Sequence, residues 1–344
     1  MTPYPSPSAG PQNPYMSPVP PMVNPAYLQE KRRLRQTSIF LGIAVILYFA
    51  VNLAIGQFLG FFIQLFYQFS QRPLFGNSEI AYYLLNMAAY ALTFTIAFGA
   101  YLLLLRMPWK AAFPFRPVPA GTVLLSIPVS FALSVIGSIL SAILSLLFSV
   151  TGFQPVASDV TVPMTAPGLV LYFILLAVLP PIFEEIAFRG ILMQSLRRFG
   201  DSFALLVSSL LFGLFHLNMI QGPYAFLLGL WFGYLVLRTG SLRISMVLHA
   251  CINFSAAVMS VLTAGASEQT LVAINLIYIV FWIFTGVTAL LFLILRTRGS
   301  FGLYPAQTWM RMGKKLGVFF SSVPMIIGLL AILYFMLQNF VRIA

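Results

Sequence analysis

Residues 168–190 read GLVLYFILLAVLPPIFEEIAFRG, and this stretch decides the fold. Its first sixteen residues carry no charge. Glu184 and Glu185 then arrive together, and apolar side chains resume directly after them. A charge at the centre of a bilayer helix costs roughly 2.5–3.5 kcal/mol on insertion scales. Two adjacent carboxylates in such a run are therefore a sign of function and not of packing. The bland alternative places both just beyond the membrane edge in water, and the apolar residues on both sides argue against it.

This apolar run is expected to end near residue 188, with Arg189 in the cytoplasmic segment after it, and eight more surround it, near 37–67, 80–105, 122–150, 203–217, 223–237, 244–263, 271–295 and 317–338. Sixty per cent of the chain is hydrophobic and 8% is charged, whereas a soluble domain carries about 25% charged residues. So few charges cannot build a water-facing exterior. A helix needs about 20 apolar residues to cross the hydrocarbon. The expected fold is all-α, a polytopic integral membrane helical bundle of about nine transmembrane helices. The runs at 203–217 and 223–237 are short and suggest half-depth or tilted helices.

With the N-terminus placed in the cytoplasm and the runs alternating, 17 of the 19 Lys and Arg residues fall on the cytoplasmic side, all but Arg72 and Arg342. The outer loops carry Glu79, Asp159 and Glu268. This asymmetry follows the positive-inside pattern. The net charge of +12 is thereby assigned to topology and to anionic lipid, so the expected partner is the bilayer and not nucleic acid. The membrane is the plasma membrane if the source is prokaryotic. Residues 1–36 are expected to form a disordered Pro-rich cytoplasmic tail followed by a basic collar at Lys31, Arg32, Arg33 and Arg35. Residues 37–344 form the transmembrane bundle. Cys251 is the only cysteine, which excludes an internal disulfide.

Helix geometry separates the two glutamates. Glu185 can pair with Arg189 four residues on, while Glu184 projects about 100° away with no partner on its own helix. Glu184 is then the free base and Glu185–Arg189 a neutralised pair. Pro180 and Pro181 remove two backbone donors, so a bend is expected just ahead of the carboxylates. The chain has two histidines, His216 and His249, and both lie in apolar runs. Either alone could be an interhelical hydrogen bond, but together with the carboxylates they point to a site. Asn253 shares a helical face with His249, and the two could donate to one developing oxyanion. Phe212, four residues before His216, would pack beside its ring and orient it.

These residues resemble three motifs of the CPBP family, which includes type II CAAX prenyl endopeptidases and bacteriocin-processing or self-immunity proteins. Two glutamates, three residues and an arginine appear as Glu184, Glu185 and Arg189. Phe, three residues and His appear as Phe212 and His216. His, three residues and Asn appear as His249 and Asn253. The resemblance covers roughly residues 168–256. It implies a glutamate-type intramembrane endopeptidase in which Glu184 and His216 activate water, His249 and Asn253 stabilise the tetrahedral intermediate, and the cavity opens to the cytoplasm. The implied substrate is a membrane-bound peptide or a lipidated protein tail.

Glu184 and His249 each lie about five residues, or roughly 7 Å, from a cytoplasmic loop if the runs end where apolarity ends. His216 lies roughly 20 Å deep. For His216 to meet Glu184, its helix must tilt or the 200–202 turn must dip inward. A zinc-dependent version is the competing chemistry, with Glu184, His216 and His249 as ligands. No HExxH pair makes it specific, and the metal-free mechanism is preferred because Asn253 beside His249 suits an oxyanion site. A non-catalytic immunity or scaffold protein of the same fold and a proton-coupled transporter are the remaining readings.

Overall fold

The structure is a computed structural model that describes residues 24–72, 78–156, 161–163, 165–297, 302–303 and 307–342. The chain is helical almost throughout. Helices α1 (Pro25–Ser70), α2 (Glu79–Leu104), α3 (Ala120–Ser149), α4 (Ala166–Phe199), α5 (Asp201–Leu214), α6 (Gln221–Thr239), α7 (Leu242–Leu262) and α8 (Glu268–Arg296) follow in order. A bent pair, α9 (Met312–Phe320) and α10 (Val323–Gln338), meets at 79° and ends the bundle. Residues 153–155 and 340–342 form a two-stranded antiparallel ribbon, β1 and β2, a small departure from the all-helical expectation.

Every apolar run is helical, but not every helix passes as a span. Six are long and apolar enough to cross a membrane, or seven if the bent pair is one span, among the described residues. Helix α5 is shorter, and α6 is not among the six. Length and composition thus support six or seven crossings of the nine expected.

The helix ends gather on two faces. On the face of the basic collar, Lys315 donates to the Phe199 carbonyl at 2.6 Å, Arg198 to Thr37 at 2.7 Å, and the Trp309 amide to Glu30 at 2.6 Å. On the opposite face the ribbon joins the chain's end to the segment after α3. There Asn339 donates to the Leu217 carbonyl at 2.7 Å and Asn218 to the Val156 carbonyl at 2.6 Å.

Two boundaries differ from expectation. Helix α1 starts at Pro25, with the Asn24 side chain accepting from the Ala26 amide at 2.9 Å. Proline suits the first helical position, where no backbone donor is needed. The basic collar is therefore helical, and the part of the expected tail at 1–23 lies outside the described residues. Helix α4 does not stop near residue 188 but continues to Phe199. Arg189, expected in a loop, is 1% exposed inside the bundle.

Helices approach closely where side chains are absent, as membrane packing favours. A Cβ at Gly286 of α8 would lie 2.7 Å from the Pro128 carbonyl oxygen of α3, and one at Gly137 of α3 would lie 2.5 Å from the Tyr224 Cα of α6. The second contact fixes the wall of α6 that carries Tyr224 into the central cavity.

Candidate active site

Two tight turns set the geometry. Gly200 joins α4 to α5 at φ 114°, ψ 138°, a conformation essentially restricted to glycine. The two helices then run antiparallel. Phe188 and Phe212, each twelve residues from Gly200, meet with ring centroids 5.3 Å apart. Glu184 and His216, each sixteen residues from Gly200, line one cavity. Gly240 (φ 67°) makes the second turn, between α6 and α7, and brings the Phe232 ring to 5.9 Å from that of His249.

This register corrects the expected depths. Fifteen residues, about 22 Å of helix, separate Glu184 from the basic-face end of α4 at Phe199. The carboxylate thus lies as deep as His216. Neither a tilted α5 nor a dipping turn is required, because α4 is longer than its apolar pattern suggests.

The proline pair works as a local device. Pro180 cannot donate to the Leu176 carbonyl four residues back. Residues Ile174–Val178 form a π-helical turn, and Asn253 of α7 donates to that carbonyl at 2.9 Å. A second π-helical segment, Glu185–Leu192, carries Glu185 and Arg189. Such segments occur often at functional sites.

Glu185 is fully buried and holds two partners. Its Oε1 lies 2.9 Å from Arg189 Nη1 and 2.9 Å from His249 Nδ1. It is thus more than the neutralised partner of Arg189. A carboxylate accepts, so His249 Nδ1 carries a proton and the ring is fixed in orientation. His249 Nε2 faces Glu184 Oε2 at 3.8 Å. His216 donates from Nδ1 to the Phe212 carbonyl at 2.8 Å, because a carbonyl can only accept. Its Nε2 remains as the other functional atom.

Phe212 stands at the centre of these groups. The Arg189 guanidinium lies 3.9 Å from its ring centroid, and the rings of His216 and His249 lie 5.0 and 5.8 Å away. A cavity of about 350 Å³ is lined by Glu184, Phe212, His216, His249 and Asn253 together. Glu184 is 15% exposed at the side chain, and its Oε2 has no hydrogen-bond partner among the described residues.

Sequence reasoning missed Tyr90 of α2, whose hydroxyl donates to Glu184 Oε1 at 2.6 Å. Fifteen tyrosines are scattered through the chain, and no spacing rule distinguishes this one. As for metal, the His, Cys, Asp and Glu side chains form no group of three suited to an ion among the described residues.

The cavity does not run toward the basic collar. Below the site on that side Leu192, Leu196, Ala204, Leu242 and Leu248 are all completely buried. The cavity instead runs toward Tyr172, Gln221 and Ser260, near the opposite ends of α4, α6 and α7.

Residues 166–255, about a quarter of the chain, match the family model of the Rce1-like type II CAAX prenyl endopeptidases. The matched segment agrees with the CPBP resemblance and contains all seven motif residues. No curated protein and no solved structure matches the chain.

Proposed function

We propose that the chain is an intramembrane endopeptidase that hydrolyses a peptide bond in a membrane-associated peptide or protein tail. The Rce1-like match implies CAAX-type protease activity at the coarse level. The single observation that carries the finer reading is the convergence of Glu184, His216, His249 and Asn253 on one cavity.

Water held between Glu184 and His216 Nε2 gives a proton to the Glu184 carboxylate while its oxygen bonds to the carbonyl carbon. The resulting oxyanion accepts from Asn253 and from His249 Nε2 when that nitrogen carries a proton. Asn253 has two amide hydrogens, so one can serve Leu176 while the other faces the substrate. Collapse breaks the C–N bond, and the proton on Glu184 passes to the departing amine. Glu185 orients His249 much as a buried carboxylate orients a triad histidine. The mechanism uses no metal. The topology that accompanies it has nine crossings with the N-terminus in the cytoplasm, on the strength of the charge asymmetry.

The test is product mapping by mass spectrometry on membranes holding the wild type or Glu184→Gln. One released peptide should vanish in the variant and persist in EDTA. Release that ignores Glu184→Gln would favour a binding or scaffold role. Loss in EDTA with recovery on adding zinc would favour the metal-dependent version.

A further inference from the structure

We infer that the site is filled from the face opposite the basic collar, by an extended apolar segment of about five residues. The inference rests on the peptidase reading for its substrate and on geometry alone for its direction.

Three observations carry the direction. First, the mouth and the floor of the cavity are at matching heights on two antiparallel helices. Gln221 on α6 and Ser260 on α7 line the mouth, while Phe232 and His249 line the floor. Eleven residues separate mouth from floor on each helix, about 16 Å of rise. Gln221 is the first residue of α6, and Ser260 lies two residues from the end of α7, so the mouth is at the membrane boundary and not within the bundle.

Second, the opposite route is closed. The six residues of α7 between Leu242 and His249 include Ile244, Ser245 and Leu248, each at most 1% exposed. The facing stretch of α4 from Glu185 to Leu196 is almost wholly buried, with the Glu185–Arg189 pair as its innermost layer. Third, burial loosens toward the mouth, where Ala256 and Ser260 are exposed.

The occupant follows from the walls. Leu176, Leu228 and Ile252 line the shaft, so the segment that enters is apolar. An extended chain advances about 3.3 Å per residue, and 16 Å of shaft takes about five residues before the scissile bond reaches Glu184. With the basic collar in the cytoplasm, the mouth is on the non-cytoplasmic side. The substrate is then a peptide or protein end presented from outside or from the outer leaflet, and not a tail modified and displayed in the cytosol.

The experiment uses the full chain with Cys251→Ser as background and single cysteines at the mouth, Ser260→Cys and separately Gln221→Cys. Lys314→Cys marks the basic face and Glu268→Cys the opposite one. A membrane-impermeant maleimide is added to sealed right-side-out and inverted vesicles. Both mouth cysteines should react in the vesicles in which Glu268→Cys reacts, and not in those in which Lys314→Cys reacts. A bulky maleimide on Ser260→Cys should also cut product release at least tenfold. Reaction of both mouth cysteines only from the Lys314 side, or from neither side while both controls react, overturns the inference. If the labelling holds but Glu184→Gln leaves product release unchanged, the peptidase reading fails and the direction of entry stands.

Discussion

The Tyr90 hydroxyl donates to Glu184 Oε1 at 2.6 Å, so the proposed base is held by a helix that lies outside the family-matched segment. The other carboxylate oxygen is left facing His249. Tyr90 does not line the cavity, which makes it a positioning residue. Tyr90→Phe removes one charge-assisted hydrogen bond, worth about 1.5–3 kcal/mol. Steady-state kinetics should give a kcat lower by roughly ten- to hundredfold with KM little changed. A change confined to KM would place Tyr90 in substrate binding instead.

Arg189→Leu leaves Glu185 charged and without its cation in the bundle interior. Breaking a buried pair from one side costs about 3–5 kcal/mol, which thermal unfolding in detergent should register as a marked loss. The double variant Glu185→Leu/Arg189→Leu should recover most of that stability yet remain inactive, because His249 has lost the acceptor on Nδ1. Recovery of activity in the double variant would show that Glu185 serves the fold alone.

Asn253 has two duties that a paired substitution can separate. Asn253→Ala strands the Leu176 carbonyl, at about 1–3 kcal/mol of stability, and removes an oxyanion donor, at roughly 10²–10³ in kcat. Adding Pro180→Ala returns a backbone N–H four residues from that carbonyl. The double variant should regain stability but not rate. If the rate also returned, Asn253 would act only as a helix-to-helix bond.

Gly200→Ala forces an L side chain into φ 114°, at a cost of about 1–3 kcal/mol. Because the same turn sets the register of Glu184 against His216, activity at permissive temperature should fall as well. Gly56→Ala, on an open face with nothing within 4 Å of an added Cβ, should be neutral or slightly stabilising in the same melt.

The polar residues of the site were legible because apolar surroundings make each of them costly. Glu184, His216, His249 and Asn253 were all identified from their place in the runs, and the structure places them around one cavity. Depth was not legible. The apolar pattern ended near residue 188 because Arg189 was read as a loop charge, whereas a buried ion pair with Glu185 lets the helix continue to Phe199. Tyr90 left no signal at all, since a tyrosine in an apolar helix is ordinary until its hydroxyl is placed against a carboxylate.

Composition and periodicity by themselves determined that the chain is a helical membrane bundle and which side chains are too polar to be there for packing. Both follow from the one-dimensional cost of putting charge into an apolar run. Only the tertiary structure decided which carboxylate oxygen faces which imidazole, that Asn253 answers a carbonyl left bare by Pro180, and that the cavity leads away from the basic collar. Those depend on the register of two helical hairpins about Gly200 and Gly240, and register is fixed by contacts between residues far apart in the chain.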